Sequence, residues 1–382
     1  MLYELRQYDT PLMTFSLERQ ELDKLIYNIE WVNEEKRELL PIGLTTNSDS
    51  LAKWLKSRVI PKNREYVDQI LVRSGLSHND IMGIINVCKG LSLNDSYWIV
   101  EKDFEGKFAD YNLYNNKFTS TLALIAYTGY GSNSKKGFTS SPEYTTNGML
   151  KKCWRRISGK IYLYKGGTSG AANTGNEPYS EFYAAQIAEA MGLNHVSYNL
   201  AKWKGTLCST CELFTDIDNS FVPIYRFDIG NSLVETADFL KSLGQEFYDE
   251  FADMMIFDAL ICNTDRHTGN YGLIVDNKTN KPVGFAPIFD NGLSLFNYAM
   301  ADDIVDIDSY AKTRFPAYDA VSYDEIVKAF ISERQKAQLR KLINFRFERH
   351  SRYNLPKERL KAIEGFLQRR IQSFLKAKGH QE

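Results

Sequence analysis

Residues 245–262, QEFYDEFADMMIFDALIC, constrain the fold more than any other stretch. Their pattern passes from amphipathic to fully apolar, so the helix it predicts must be covered on every side. A chain of 382 residues, 43% of them apolar, can supply that cover as one large core or as two to three ordinary ones. The helix runs straight into a polar cluster, ICNTDRHTGNYGLIVD at 261–276, and APIFDNGLSL follows at 286–295. Asp265, Arg266, His267 and Asn270 fall within six residues, and Asp290 stands twenty-five positions after Asp265.

Composition narrows the chemistry. A net charge of −1 argues against a broadly basic nucleic-acid surface and leaves room only for a local patch. No run of apolar residues is long enough to predict a membrane span, and MLYELRQYDT lacks the charged and apolar regions of a signal peptide. Five cysteines, an odd and sparse set, suit reduced thiols and a cytoplasmic setting. The pair Cys208 and Cys211 has no second CxxC and no nearby His, so it is expected to be two thiols on or beside a strand rather than a zinc site. His78, His195, His350 and His380 are scattered and carry no assigned chemistry. The basic stretch 341–352 is expected to be a solvated helix face.

Along the chain, LYELRQYD and TFSLE alternate like short strands. Helices are expected over 48–59, entered through Asp49 or Ser50, over 63–73, and after a cap at Ser77 or Asp80. Residues 128–147 are rich in Gly, Ser, Thr and Asn and predict a loop. Strands are expected near 149–156 and at 159–167, with Ile161, Leu163 and Lys165 on one face. A flexible loop at 166–178 precedes a helix over 179–193, capped by Ser180 and ended by Gly192. Further strands are expected at 196–200, 205–208 and 222–228. LIVD and VGFAPIFD predict a hairpin with Asp290 at the end of its second strand, and 322–378 predict three helices. The chain is therefore expected to be α+β, with a small α+β module over 1–125, a strand-rich lobe over 126–230 and a helical lobe over 231–382. The polar cluster would lie at the helical side of a cleft between the lobes.

Two carboxylates and an amide oxygen, Asp265, Asp290 and Asn270, are hard oxygen donors that suit Mg²⁺ better than zinc. Magnesium usually accompanies phosphates, and an Asp not spent on metal can orient a hydroxyl and accept its proton. Such a site demands a cation for the phosphates on a strand and an acid on a helix to hold it. Lys165 and Glu181 fit both demands. No GxxxxGK[ST] is present, which disfavours a P-loop NTPase. His267 is expected to hold its loop by hydrogen bonds, and Arg266 is either a solvated loop charge or a phosphate contact.

N-T-D-R-H-T-G-N followed by I-F-D-N-G resembles the catalytic and metal-binding segments of HipA-like kinases, in the wider protein-kinase-like superfamily. The D-R-H-x-x-N core also resembles phosphoinositide kinases. The resemblance covers roughly 138–375. It implies a two-lobed protein-kinase-like fold, with Asp265 as the catalytic residue and Asn270 and Asp290 as metal ligands. Lys165 and Glu181 match the ATP-contacting lysine and its helix acid. SPEYTTNGMLKKCW resembles the phosphate loop, which places Thr146, Asn147 and Gly148 against the nucleotide. CELFT at 211–215 resembles the linker that meets adenine, bringing in Glu212 and Phe214. The implied protein is an ATP- and Mg²⁺-dependent serine/threonine kinase. Its 138–148 loop would be mobile without nucleotide and would carry autophosphorylation at Thr139, Ser140, Ser141, Thr145 or Thr146. HipA-like proteins often pair with a DNA-binding antitoxin, so a partner of that kind is implied, with no direct DNA contact by this chain. A lipid or small-alcohol kinase of the same fold and a catalytically silent nucleotide-binding scaffold are the alternatives.

Overall fold

The computed structural model describes residues 1–19, 25–131, 140–230, 232–318 and 320–379. Its contacts divide the chain into two compact units. The first comprises Met1–Tyr164, Thr215–Val222 and Ile274–Val283. The second comprises Lys165–Phe214, Pro223–Leu273 and Gly284–Glu382.

The first unit begins with β1 (Leu2–Gln7), β2 (Thr10–Arg19) and β3 (Leu25–Val32), followed by α1 (Ser48–Lys56), α2 (Val67–Arg73) and α3 (Ile81–Cys88). After β4 (Tyr97–Glu101) come the short α4 (Phe108–Tyr111) and α5 (Ser120–Thr128). The sheet runs in the order β3-β2-β1-β4, with β1 antiparallel to both neighbours. Alternation in LYELRQ buries Tyr3 and Leu5, and Trp98 on β4 is closed off by Phe104, Phe108 and Tyr111. The α1 cap differs from expectation by a few residues, while the α3 cap falls at the expected Asp80. Asn47 accepts the Ser50 N–H at 2.8 Å to open α1, and Asp80 accepts from Gly83 to open α3. The second helix starts only at Val67, after Tyr66 in a left-handed conformation.

Residues 132–139, and with them Thr139, lie outside the described residues. Where the sequence predicts a mobile loop, residues 140–148 are pinned. Pro142, Glu143 and Tyr144 form a buried 3-10 turn. The Ser140 hydroxyl donates to Cys88 O at 3.1 Å, and the buried Thr145 hydroxyl to Leu91 O at 2.8 Å. Short hydroxyl side chains satisfy backbone carbonyls locally here, which orders a segment whose composition alone predicts a loop. Two hydrogen-bonded strands, β5 (Lys152–Ile157) and β6 (Lys160–Gly166), complete this part of the chain.

The second unit is built around α6 (Glu177–Met191), the antiparallel pair β7 (Asn199–Trp203) and β8 (Thr206–Glu212), and a helical remainder. Gly192 ends α6 in the left-handed conformation, where its N–H bonds back to Ala188 O. Ser180 is not the cap. It lies inside the helix, the cap position is Asn176, and the Ser180 hydroxyl donates instead to Ser294 O at 2.8 Å. A capping box of Ser232 and Glu235 starts α7 (Leu233–Leu243). The apolar stretch forms α8 (Gln245–Ile261), buried without interruption from Phe251 to Ile261. Its cover comes from α7 and from α11 (Tyr323–Phe330), α12 (Glu333–Arg340) and α13 (Lys357–Lys376), which are the three helices expected after 322. Two short helices, α9 (Ala301–Val305) and α10 (Ile307–Ala311), precede them. The strands β9 (Asn219–Pro223), β10 (Gly272–Asp276) and β11 (Lys281–Phe285), which fall mostly in the Thr215–Val222 and Ile274–Val283 segments of the first unit, form a separate sheet in the order β11-β10-β9. The strand expected at 222–228 is thus displaced, because residues 224–227 turn into a 3-10 helix. No helix among the described residues is long and apolar enough to cross a membrane.

Glu143 supplies a test of the first unit. It is fully buried, Trp154 N–H donates to its Oε1 at 2.8 Å, and among the described residues its Oε2 has no hydrogen-bond partner. Burial pushes its carboxyl up to about 7, against the opposing pull of the Arg64 charge. A carboxyl raised on folding contributes stability that is fully present below its unfolded value and is lost as pH rises through the folded one. Wild-type stability in urea should therefore fall between about pH 4.5 and pH 8, by up to about 3 kcal/mol. Glu143→Gln should flatten that slope.

Candidate functional site

Lys165, near the end of β6, is buried. Its ammonium donates to Glu181 Oε1 at 2.9 Å and also to Asp290 Oδ1. Burial works against the charge on Lys165, but the carboxylates of Asp290 and Glu181 outweigh it and raise the ammonium above its ordinary value. Glu181 is fully buried on α6, and its second oxygen accepts the Asn291 N–H at 2.8 Å. Gly292 packs over this pair: a Cβ there would lie 3.5 Å from Glu181 Oε1 and 3.7 Å from Lys165 Nζ.

Asp290 stands beyond the end of β11 rather than on it. Its backbone has φ 55°, an uncommon conformation for a residue with a side chain, and its N–H donates to the Tyr198 hydroxyl at 3.2 Å. Asp265 is half-buried in the loop after α8. Its N–H donates to Asn263 Oδ1, and its carbonyl accepts from Asn270 Nδ2 at 2.9 Å. Burial raises the Asp265 carboxyl, and the neighbouring charge of Asp290 raises it further, against His267, Lys165 and Arg266. The two carboxylates therefore feel each other directly.

Arg266 is neither a solvated loop charge nor a side chain turned toward solvent for phosphate. It is 1% exposed, and its Nε and Nη2 donate to the two oxygens of Asp258 at 2.7 and 3.1 Å. The remaining donors go to Asn270 O, Phe289 O and Asn291 Oδ1. Burial disfavours the guanidinium charge, but Asp258 holds it above its ordinary value. One side chain thereby ties α8, the 263–270 loop and the segment after β11 together. His267 is exposed, and its Nδ1 accepts the Gly269 N–H at 3.0 Å, which is the loop-holding contact expected of it.

The sequence reading missed Asp258, Tyr198 and Asn291. Only Asp258 carried a signal, as the lone acid within MMIFDALIC. Of the remaining predicted residues, Phe214 rests against Phe289 with ring centroids 5.5 Å apart, and Glu212 is the exposed end of β8. Thr146, Asn147 and Gly148 belong to the first unit. There the Thr146 hydroxyl bonds Pro142 O and accepts from Trp154 Nε1, Lys152 Nζ donates to Asn147 O, and Asn147 and Gly148 are exposed. All five cysteines are free thiols. Burial pushes the Cys211 thiol up to about 12.

Asp290 and Asn270 carry hard oxygen donors of the kind a hard cation takes. Among the described residues no three His, Cys, Asp or Glu side chains gather as a metal cluster. Asp290 and Asn270, whose Nδ2 is committed to Asp265 O, leave few protein oxygens for an ion. Magnesium suits such a set, because it keeps waters and takes phosphate oxygens alongside one or two carboxylates.

No protein-family model matches the chain. Over 204 residues it is 28% identical to the serine/threonine-protein kinase CtkA of Helicobacter pylori, which is 48% of this chain and 59% of that protein. The aligned part thus spans somewhat over half of the curated relative. Among solved structures, the chain resembles that of the Shewanella oneidensis MR-1 toxin–antitoxin system HipA, HipB and operator DNA. The overlay covers 98% of each chain at TM-score 0.56 and 11% identity. The crystal structure of CtkA overlays at TM-score 0.45 and 18% identity, over 60% of this chain and 92% of that one. The fold is therefore the mixed α+β, protein-kinase-like fold of HipA, with β-sheets toward the N-terminus and a helical region after them.

The buried Arg266–Asp258 pair should be costly to break. Asp258→Asn or Asp258→Ala leaves a guanidinium without its counter-ion inside the protein, a loss of roughly 3–5 kcal/mol. Arg266→Lys cannot reproduce five donors in a fixed fork and should destabilise as well. Urea denaturation of each variant measures both effects.

Proposed function

We propose that the chain is an ATP- and Mg²⁺-dependent serine/threonine protein kinase. The observation that carries this reading is the joint pairing of Lys165 with Glu181 and Asp290, beside the charge-coupled Asp265. An ammonium held by a helix acid is a fixed point charge for nucleotide phosphates. Glu181 orients it, and the Asn291 N–H keeps Glu181 from turning away. Asn270 Oδ1 and the Asp290 carboxylate would hold the magnesium, which supplies neutralisation of the developing phosphate charge. Asp265 accepts the hydroxyl proton of the substrate or orients that hydroxyl. Its raised carboxyl brings it nearer to neutral pH than an ordinary Asp. Glu212 and Phe214 are assigned to the base end of the nucleotide. Similarity to CtkA supports serine or threonine on a protein as the acceptor. The HipA neighbour was solved in a complex with HipB and operator DNA, which supports a partner of that kind for this chain. Of the hydroxyls considered for autophosphorylation, Ser140, Thr145 and Thr146 are engaged with backbone carbonyls and would have to be released first.

Incubation with γ-labelled ATP and Mg²⁺, followed by mass spectrometry of labelled Ser and Thr, tests the activity directly. Absence of transfer to any protein would leave a silent nucleotide-binding chain, and label on lipid alone would move the assignment to a lipid kinase. Lys165→Ala should weaken nucleotide binding and transfer together. Asp290→Asn should do the same through the loss of a metal ligand. Asp265→Asn should leave nucleotide affinity nearly intact while transfer falls by roughly a hundred- to ten-thousand-fold. Calorimetric titration beside single-turnover transfer separates these outcomes, and full transfer by Asp265→Asn would remove the centre of the proposal.

A further inference from the structure

Glu177 opens α6 one turn before Glu181, and the mechanism above does not use it. It is 1% exposed, yet its carboxylate is fully engaged. The Thr168 hydroxyl donates to Oε1 at 2.6 Å and the Thr168 N–H to Oε2 at 3.2 Å. The Tyr298 hydroxyl donates to Oε1 at 3.0 Å. Gly167 is a close approach that only glycine permits: a Cβ there would lie 2.6 Å from Glu177 Oε2 and 2.8 Å from Gly175 Cα.

The bond to Tyr298 is one rung of a ladder. The Asn291 N–H donates to Glu181 at 2.8 Å, and Ser180 donates to Ser294 O at 2.8 Å. Asn176 Nδ2 donates to Asn297 O at 2.9 Å, and Asn173 Nδ2 to Tyr298 O at 3.0 Å. The segment that follows Asp290 is thus stitched along α6 and the loop that leads into it. Within that ladder Glu177 is the only rung whose carboxylate also holds the loop, through Thr168.

Resting on the kinase reading, we propose that Glu177 is a positioning residue. It fixes residues 291–298 to the helix that carries Glu181, so that Asp290 and the Lys165–Glu181 pair are set together with no modification of the segment. In many two-state switches a segment of this kind is disordered until a phosphate recruits it. Here a resident carboxylate on α6 holds the segment, with three donors converging on it. A glutamine keeps the shape but loses the charge. With its oxygen on the Thr168 N–H, its amide nitrogen meets two hydroxyls that must both turn round to accept. Turned the other way it faces the Thr168 N–H, so in either orientation the bonds to an ionised acceptor are lost.

The test uses the full chain after phosphatase treatment, as wild type, Glu177→Gln and Tyr298→Phe. Hydrogen–deuterium exchange without nucleotide should show the 291–298 amides exchanging about tenfold or more faster in Glu177→Gln. Protection of α8 should stay unchanged. The Mg²⁺ concentration for half-maximal transfer should rise in both variants, with excess Mg²⁺ recovering much of the rate. A merely structural role would lower stability without moving that requirement. The double variant should be no worse than Glu177→Gln, since both changes break the same latch. Should Glu177→Gln fail to fold, Tyr298→Phe, which keeps the ring, carries the same readouts. Unchanged exchange and an unchanged Mg²⁺ requirement in folded variants overturn the proposal. So does wild type that loses transfer on phosphatase treatment. Wild type inactive before and after treatment overturns the kinase reading and this role with it.

Discussion

A guanidinium shut away from water governs the shape of the site. A buried charge is tolerated only when its counter-ion and hydrogen bonds are complete. Arg266 meets that condition with five donors used on Asp258, Asn270 O, Phe289 O and Asn291. The acceptors come from three separate stretches of chain, α8, the 263–270 loop and the segment after β11, so satisfying the arginine forces those stretches into one arrangement. The loop bearing Asp265 and Asn270 and the segment bearing Asp290 owe their proximity to a residue that itself faces neither solvent nor the carboxylates' open side.

A second constraint acts on Asp290. Its left-handed backbone is held by the Tyr198 hydroxyl at its N–H and by Lys165 at its carboxylate. Backbone in that region persists for a side-chain-bearing residue when its surroundings over-determine it. The surroundings here include Asn291, whose N–H goes to Glu181 and whose side chain accepts from Arg266. Lysine, helix acid and aspartate are therefore not three independent contacts. Moving any one of them disturbs a network that ends at the buried arginine.

Much of the secondary structure was legible because its signals are local. The apolar run at 245–262 became α8, Gly192 ended α6, and three helices lie within 322–378 as expected, although 341–352, expected to be a solvated helix face, is turn and irregular chain. Errors arose where side chains answered to distant partners. Ser180 looked like a cap and instead bonds Ser294, while the Ser- and Thr-rich stretch at 140–148 looked loose and instead bonds the carbonyls of Cys88 and Leu91. Composition reports how much a segment can bury by itself, and says nothing of carbonyls that another segment brings to it.

The sequence by itself determined which residue types could meet: two aspartates and an asparagine at short spacing after an apolar helix, a lysine on a strand, a glutamate on a helix. Those choices follow from period and from chemistry, which are properties of neighbours in the chain. Only the tertiary structure decided that Lys165 would bridge Glu181 and Asp290, that Arg266 would turn inward to Asp258, and that Tyr198 and Glu177 would hold the segment around Asp290. These contacts join residues as far apart as 125 positions in the Lys165–Asp290 pair. The direction in which a buried charge must turn is set by where its counter-ion lies, and a linear chain does not display that place.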